Sequence, residues 1–384
     1  MDIGNKNGES SRDFLAYLGM VLFYLLSVVG GVFSYSPNEP TKIIAKLVLL
    51  FLISSYFVVC QKAIVFPRFV MLFAMISLSL LFIGLLRSDH IAYGLFKIDG
   101  VVFATTFLSI LWLSLVKRLG EASTFDLFLI ICLGILMATL IYKAHYGFYD
   151  RNVRYLFNGP IVYGWIMAFS ALISLKRWVD TRRFKYQLVF LIFLLGMLWT
   201  ESKGPLVALC VAFAVYIFGL ARQRPKMVIR LALMAFAGLL LVSPFLPDVL
   251  GSNRLDALTH LLKWKFSTAD EGSIGDRIAM YHYATASFEA HPLLGIGLSN
   301  FEYGPFFYPH NEHLEIFVEL GVFFGIINIV FILFSIMRSS YTYKAIIVFF
   351  AFCSSFSGDM SYLRFCYCFC LVGIYMMSRS RRAV

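Results

Sequence analysis

The sequence predicts an all-α, polytopic membrane protein of about 12 transmembrane helices, with both termini in the cytoplasm and one long outer loop that carries short helices. Three observations predict it. First, 60% of the 384 residues are hydrophobic and 14% are charged, against roughly 45–50% and about 25% in soluble domains, which excludes an ordinary soluble fold. Second, a dozen apolar runs of spanning length follow one another, and about 12 crossings of about 20 residues would use about 240 residues, close to the hydrophobic content. Third, with both ends placed inside, about 20 of the 33 basic residues fall on the side that has only short loops. That side includes the dense clusters Lys176 to Lys185 and Arg222 to Arg230, as the positive-inside rule requires.

In chain order, a polar tail (1–13) precedes the run Phe14 to Ser34. That run is too long for a signal-peptide core and lacks a small-residue cleavage site, so it reads as a retained first helix. Further spans follow near Ile43 to Cys60, Pro67 to Leu86, Ile98 to Val116, Phe125 to Tyr142, Pro160 to Leu175, Tyr186 to Thr200, Pro205 to Ala221 and Val228 to Leu246. Residues 14–246 therefore hold nine helices. A long loop (247–313) comes next, then three spans (314–377), near Leu314 to Met337, Ala345 to Ser357 and Leu363 to Met377, and a basic tail (378–384). Loops of that length are functional or carry structure of their own. Inside it, Asp276 to Ala290 reads as a surface helix with Ile278, Tyr281, Ala284, Thr285 and Phe288 on one stripe, ended by His291-Pro292.

The net charge of +11 reports orientation here and does not call for nucleic acid. The seven cysteines all lie in or beside apolar runs, offering neither a disulfide framework nor zinc-site spacing. No internal repeat is visible, which counts against many secondary transporters.

All seven histidines fall on the outer side of this topology. The strongest local pattern is Pro309-His310-Asn311-Glu312-His313-Leu314-Glu315, continuing to Glu319-Leu320-Gly321 at the mouth of the tenth span. At about 100° per residue, Glu312, Glu315 and Glu319 share one helix face. Two readings stay open. The stripe faces a polar cavity and is functional, or Glu312 and Glu315 are interfacial and Glu319 pairs with a structural base. His310 and His313 could ligate a metal with a carboxylate, but no further ligand pattern accompanies them, and no metal is expected. Gly321 and Gly325 have the small-xxx-small spacing of close helix packing.

Basic residues form the second pattern: Arg151 and Arg154 before Asn158-Gly159-Pro160, Lys203 in Glu201-Ser202-Lys203-Gly204-Pro205, and Arg254, Lys263, Lys265 and Arg277 in the long loop. Singly these are ordinary solvated or snorkelling side chains. Lys203, however, sits in a connection of about four residues and stays close to the bundle. Fixed cations where membrane meets water suit a lipid-linked diphosphate.

The run from Pro309-His310-Asn311 to Glu319-Leu320-Gly321 follows Gly275-Asp276-Arg277-Ile278-Ala279-Met280-Tyr281 and His291-Pro292-Leu293-Leu294-Gly295-Ile296-Gly297-Leu298-Ser299-Asn300-Phe301. Together they resemble the signature of the O-antigen ligase and polymerase superfamily. Arg154 to Pro160 is similar to a looser pattern of the same family. The resemblance implies a bacterial inner-membrane glycosyltransferase with its active site facing the periplasm, using an undecaprenyl-diphosphate-linked glycan as donor without a cofactor. It implies that Arg277 binds the diphosphate and that His310 activates the acceptor hydroxyl, with Glu312 the second candidate base. Lys203 resembles the family's arginine at the short outer turn, although lysine makes no bidentate fork. Arg151, Arg154, Asn311, His313 and Glu319 complete the expected substrate-binding set.

Joining of repeat units by an O-antigen polymerase is the favoured reaction. Transfer to lipid A core by an O-antigen ligase is the alternative, and a lipid-linked glycan flippase is a third reading. Expected partners are the lipid-linked glycan, the bilayer and either a chain-length regulator or a lipid A core acceptor.

Overall fold

The computed structural model describes residues 6–29, 40–60, 64–147, 159–200, 202–229, 268–301 and 308–382. The chain is helical, with no strand among the described residues. The first nine helices are α1 (Lys6–Val29), α2 (Pro40–Val59), α3 (Arg68–Leu85), α4 (Ile91–Ile98), α5 (Thr105–Leu119), α6 (Glu121–Tyr146), α7 (Pro160–Thr181), α8 (Phe184–Trp199) and α9 (Lys203–Gln223). They are followed by α10 (Thr268–Ala290), α11 (Glu312–Leu320), α12 (Val322–Met337), α13 (Tyr341–Ser354) and α14 (Leu363–Arg382). A π-helical stretch, Asp99–Ala104, joins α4 to α5, and a 3-10 turn, Met360–Tyr362, leads into α14.

Among the described residues, five helices are long and apolar enough to cross a membrane: Arg68–Leu85, Ile91–Leu119, Glu121–Tyr146, Lys203–Gln223 and Met360–Arg379. Shorter apolar helices accompany them, as in a polytopic membrane protein. The predicted ninth span, Val228 to Leu246, lies almost wholly outside the described residues.

The core is aromatic and centres on α7. Phe169 packs against Phe128 of α6, Phe349 and Phe350 of α13, and Phe369 of α14, with ring centroids 5.0–6.3 Å apart. Trp112 of α5 closes the cluster against Phe23, Phe125 and Phe369. Pro160 stands in the first turn of α7, where its missing N–H costs nothing. Along α9, two glycines leave room for aromatic rings: a Cβ on Gly204 would lie 2.9 Å from Phe356, just beyond α13, and one on Gly219 2.3 Å from Tyr341 at the start of α13, so these rings rest on bare backbone. At the opposite end of the bundle, Arg177 of α7 grips both oxygens of Asp126 of α6 at 2.7 Å, while the Tyr186 hydroxyl of α8 donates to the same carboxylate at 2.8 Å.

Two spans differ from expectation. The tenth, read as one helix from Leu314 to Met337, is broken at Gly321 into α11 and α12. Gly321 has φ +84°, and a Cβ there would lie 2.2 Å from the Leu293 carbonyl oxygen. The loop backbone presses into the chain at this point, which only glycine permits. Gly325, in α12, is close-packed against the Phe317 ring of the neighbouring α11, 2.2 Å from its would-be Cβ. The fourth span starts at Ile91 and not at Ile98, which draws Lys97 and Asp99 into the bundle interior. In the loop, α10 ends at Ala290 as expected but begins at Thr268. Its packed residues are Ala284, Tyr283 and Phe288, against Phe301 and Val318; Ile278 and Thr285 of the predicted stripe are exposed.

Candidate active site

Helix α11 is a rod of nine residues held between two left-handed positions, His310 (φ 53°) and Gly321 (φ 84°). Asn311 caps it: its side chain accepts from the Leu314 N–H at 3.0 Å, filling one of the donors a helix start leaves open. His310 therefore stands just outside the helix. Its ring meets Tyr308 edge to face at 4.4 Å, and Nδ1 is buried without a hydrogen-bond partner among the described residues. Orphaned polar atoms of this kind are costly and call for an explanation, a catalytic role among them. Burial, and then the positive charge of Arg277, push the His310 imidazole down to about 4, so it is neutral at physiological pH. Arg277, a half-buried residue of α10, thus reaches the same corner although 33 positions separate the two in sequence.

The acidic stripe faces inward, and Glu312, Glu315 and Glu319 have no exposed surface. Glu312 faces the Ser354 hydroxyl at the end of α13 and the backbone of Gly358, whose would-be Cβ lies 2.5 Å from the carboxylate. Glu315 and Glu319 meet Lys97, whose Nζ is 2.5 Å from the first and 2.7 Å from the second. Glu315 also accepts from the Met360 N–H at 2.8 Å. Glu319 is thus bound to a buried base. The two ring nitrogens of His313 are occupied: Nε2 is 3.1 Å from the Ala351 carbonyl and Nδ1 3.1 Å from the Asn328 amide, itself held by the Tyr367 hydroxyl at 2.7 Å. Bonds to a carbonyl on one side and an amide N–H on the other fit a neutral, immobile imidazole.

Lys203 is exposed at the first position of α9. Its neighbour Gly204 touches Phe356, just beyond the Ser354 that Glu312 faces, so Lys203 lies at the His310 end of the bundle. Arg151 and Arg154 lie outside the described residues. No group of three His, Cys, Asp or Glu able to hold a metal occurs among the described residues.

Two fully buried bases escaped the sequence reading. Lys97 stands just outside the predicted fourth span, which begins at Ile98; the signal for it was the acidic stripe, which needed a cation. Arg364 of α14 is fully buried and donates to the carbonyls of Ser27 and Ser361 at 2.9–3.1 Å, tying α1 to the 3-10 turn.

The loop motif 291–301 sets where α11 sits. Ile296 N–H donates to the Val318 carbonyl and Gly297 N–H to that of Glu319, both at 2.9 Å, while Val322 N–H returns to Pro292 at 2.8 Å. A Cβ on Gly295 (φ +68°) would stand 2.3 Å from the Glu319 carbonyl carbon. Asn300 and Arg87 fasten the other edge: Asn300 donates to the Arg87 carbonyl at 3.1 Å, and Arg87 donates to the Leu294 carbonyl at 2.5 Å. The stretch that looked like a sequence signature is therefore a backbone clamp on the short helix.

A model of the family described as O-antigen ligase matches residues 188–330. Over these residues the chain is similar to that family. The match takes in the clamp, His310, Arg277 and all of α11, and it supports the O-antigen ligase and polymerase superfamily for the chain. No curated protein matches the chain significantly.

Proposed function

We propose that this O-antigen ligase-family protein joins undecaprenyl-diphosphate-linked repeat units, as an O-antigen polymerase, at the periplasmic face of the bacterial inner membrane. The observation that carries the reading is the half-buried His310 imidazole, its Nδ1 buried and unpartnered among the described residues and its charged form disfavoured by burial and by the Arg277 guanidinium. A base and a cation in one corner match the two ends of this reaction. His310 takes the proton of the acceptor hydroxyl as its oxygen bonds to the anomeric carbon. The bond from that carbon to the diphosphate oxygen breaks, and the departing undecaprenyl diphosphate carries the negative charge. Arg277 offsets that charge, with Lys203 and, from the sequence, Arg151 and Arg154 as further cations. Diphosphate is already a good leaving group, so the cations suffice without a metal. Glu312 is the second candidate base.

An apolar groove of about 350 Å³ supports a lipid-linked donor. It runs between α3 and α12 over α14, lined by Leu72, Phe73, Phe324 and Phe331, and reaches Ile316 and Leu320 of α11. The lysine at position 203, where the resemblance leads one to expect an arginine, favours polymerase over ligase. Reconstitution with a synthetic undecaprenyl-diphosphate repeat unit, with and without lipid A core, tests the choice. A ladder on the carrier lipid is expected. A single transfer to the core would make the protein a ligase, and glycan uptake into liposomes without bond formation would make it a flippase.

A further inference from the structure

Helix α11 is short, and the chain turns left-handed at both of its ends, so helix continuity does not fix where it lies. Its buried face meets Lys97. This ammonium has no exposed surface and sits 2.5 Å from Glu315 and 2.7 Å from Glu319, one turn apart on α11. The backbone around Lys97 is irregular on three sides. The π-helical stretch begins two residues after it, at Asp99. The 3-10 turn supplies the Met360 N–H to Glu315, and α11 itself stops at Gly321. A Cβ on Gly100 would lie 2.5 Å from Ser361, so the π stretch and the 3-10 turn are in direct contact. Irregular backbone buried at membrane depth is tolerated where other groups satisfy it, and π-helical segments recur at functional sites.

We infer that Lys97 is a positioning residue for the reaction proposed above. By gripping Glu315 and Glu319 it holds α11 so that His310, at the head of that helix, stays in the corner with Arg277. Lys97 touches neither donor nor acceptor. The charged groups around it are Glu315 and Glu319 of α11, Asp99 on its own segment, and Asp359 at the 3-10 turn, whose charge also bears on Glu315. Those facing His310 are Arg277 of α10 and, as a ring contact, Tyr308. Removing the ammonium leaves two carboxyl groups side by side in a dry interior, which must take up protons or move apart; either way the grip that fixes α11 is lost. The inference rests on the glycosyl-transfer reading for what His310 does, but not for where it sits.

The test follows the His310 imidazole by NMR in histidine-labelled full-length protein, assigned by difference from His310→Gln. In the wild type, where burial and Arg277 push it down, it should titrate near 4. In Lys97→Met it should move up toward the exposed value of about 6.5, and Lys97→Arg, which keeps a buried cation, should return it most of the way. In the donor assay Lys97→Met should lower kcat on the order of 100-fold, as a displacement near 1 Å does, and leave the donor KM within about threefold. A residue that only stabilises the fold would reduce the amount of folded protein without moving the titration of the folded fraction. If Lys97→Met does not fold, Glu319→Gln, which keeps the Lys97–Glu315 pair, should show a smaller shift in the same direction. An unchanged His310 titration in a folded variant overturns the inference. Absence of turnover in the wild type would instead overturn the glycosyl-transfer reading, while the titration still decides the role of Lys97.

Discussion

Replacing Gly295 with alanine should be among the most damaging single-methyl changes in the protein. The new Cβ would lie 2.3 Å from the Glu319 carbonyl carbon, 2.4 Å from its oxygen and 2.5 Å from the Leu320 nitrogen, at a residue with φ +68°. The left-handed backbone alone costs a side chain about 1–2 kcal/mol. Overpacking adds about 1–3 kcal/mol, and here the obstructing atoms are backbone and cannot rotate away. The total, about 2–5 kcal/mol, is a factor of roughly 30 to several thousand in the folded-to-unfolded ratio. Because Ile296 and Gly297 tie the loop to Val318 and Glu319, part of the loss should be local, with the clamp opening before the bundle melts. Thermal unfolding in detergent together with limited proteolysis of the loop reads both effects. Gly134→Ala is the matched control. It lies in α6 with nothing within 4 Å of its would-be Cβ, and should be stabilising by about 0.5–1 kcal/mol. If Gly295→Ala melts with the control and its loop stays protected, the clamp does not hold α11.

Three further outcomes are expected. Arg177→Met removes a bidentate pair from the end of the bundle away from His310; it should cost about 1–2 kcal/mol of stability and leave turnover per folded molecule unchanged, and a loss of kcat would contradict the separation of the two ends. Since burial and Arg277 lower the His310 pKa, the base stays neutral down to about pH 4. The kcat/KM profile should therefore be flat from neutral pH through pH 5 and fall as pH drops through about 4, whereas a limb near the ordinary histidine value of about 6.5 would refute the buried assignment. Arg277→Ala should lower kcat/KM on the order of 100-fold or more and move that limb upward, because one of the two causes of the depressed pKa is gone.

The apolar runs made most helices legible, since run length and composition alone decide what can cross a bilayer. What stayed hidden was set by contacts distant in sequence. Hydropathy is continuous through Gly321, and the break there comes from the Leu293 carbonyl, a loop atom that sequence periodicity cannot place. Lys97 looked like a span boundary because a lysine in an apolar run is costly, and only the two glutamates more than 200 positions later make its burial tolerable. The acidic stripe itself was legible from helical spacing, but not that a buried lysine would meet it. The His310 and His313 pair read as potential ligands, yet Asn328 and the Ala351 carbonyl hold His313; a lone asparagine inside the run Val322 to Met337 was the visible hint. Arg277 and His310 were linked by resemblance alone, since no periodicity relates a residue of α10 to one beyond the next loop.

The most direct test of the central claim is the turnover of His310→Ala, measured on protein shown to be inserted and folded like the wild type, with the synthetic lipid-linked repeat unit as donor and acceptor. Loss of the base should slow glycan transfer about 10²- to 10⁴-fold. Wild-type turnover in that variant would remove His310 from the reaction and the proposed chemistry with it.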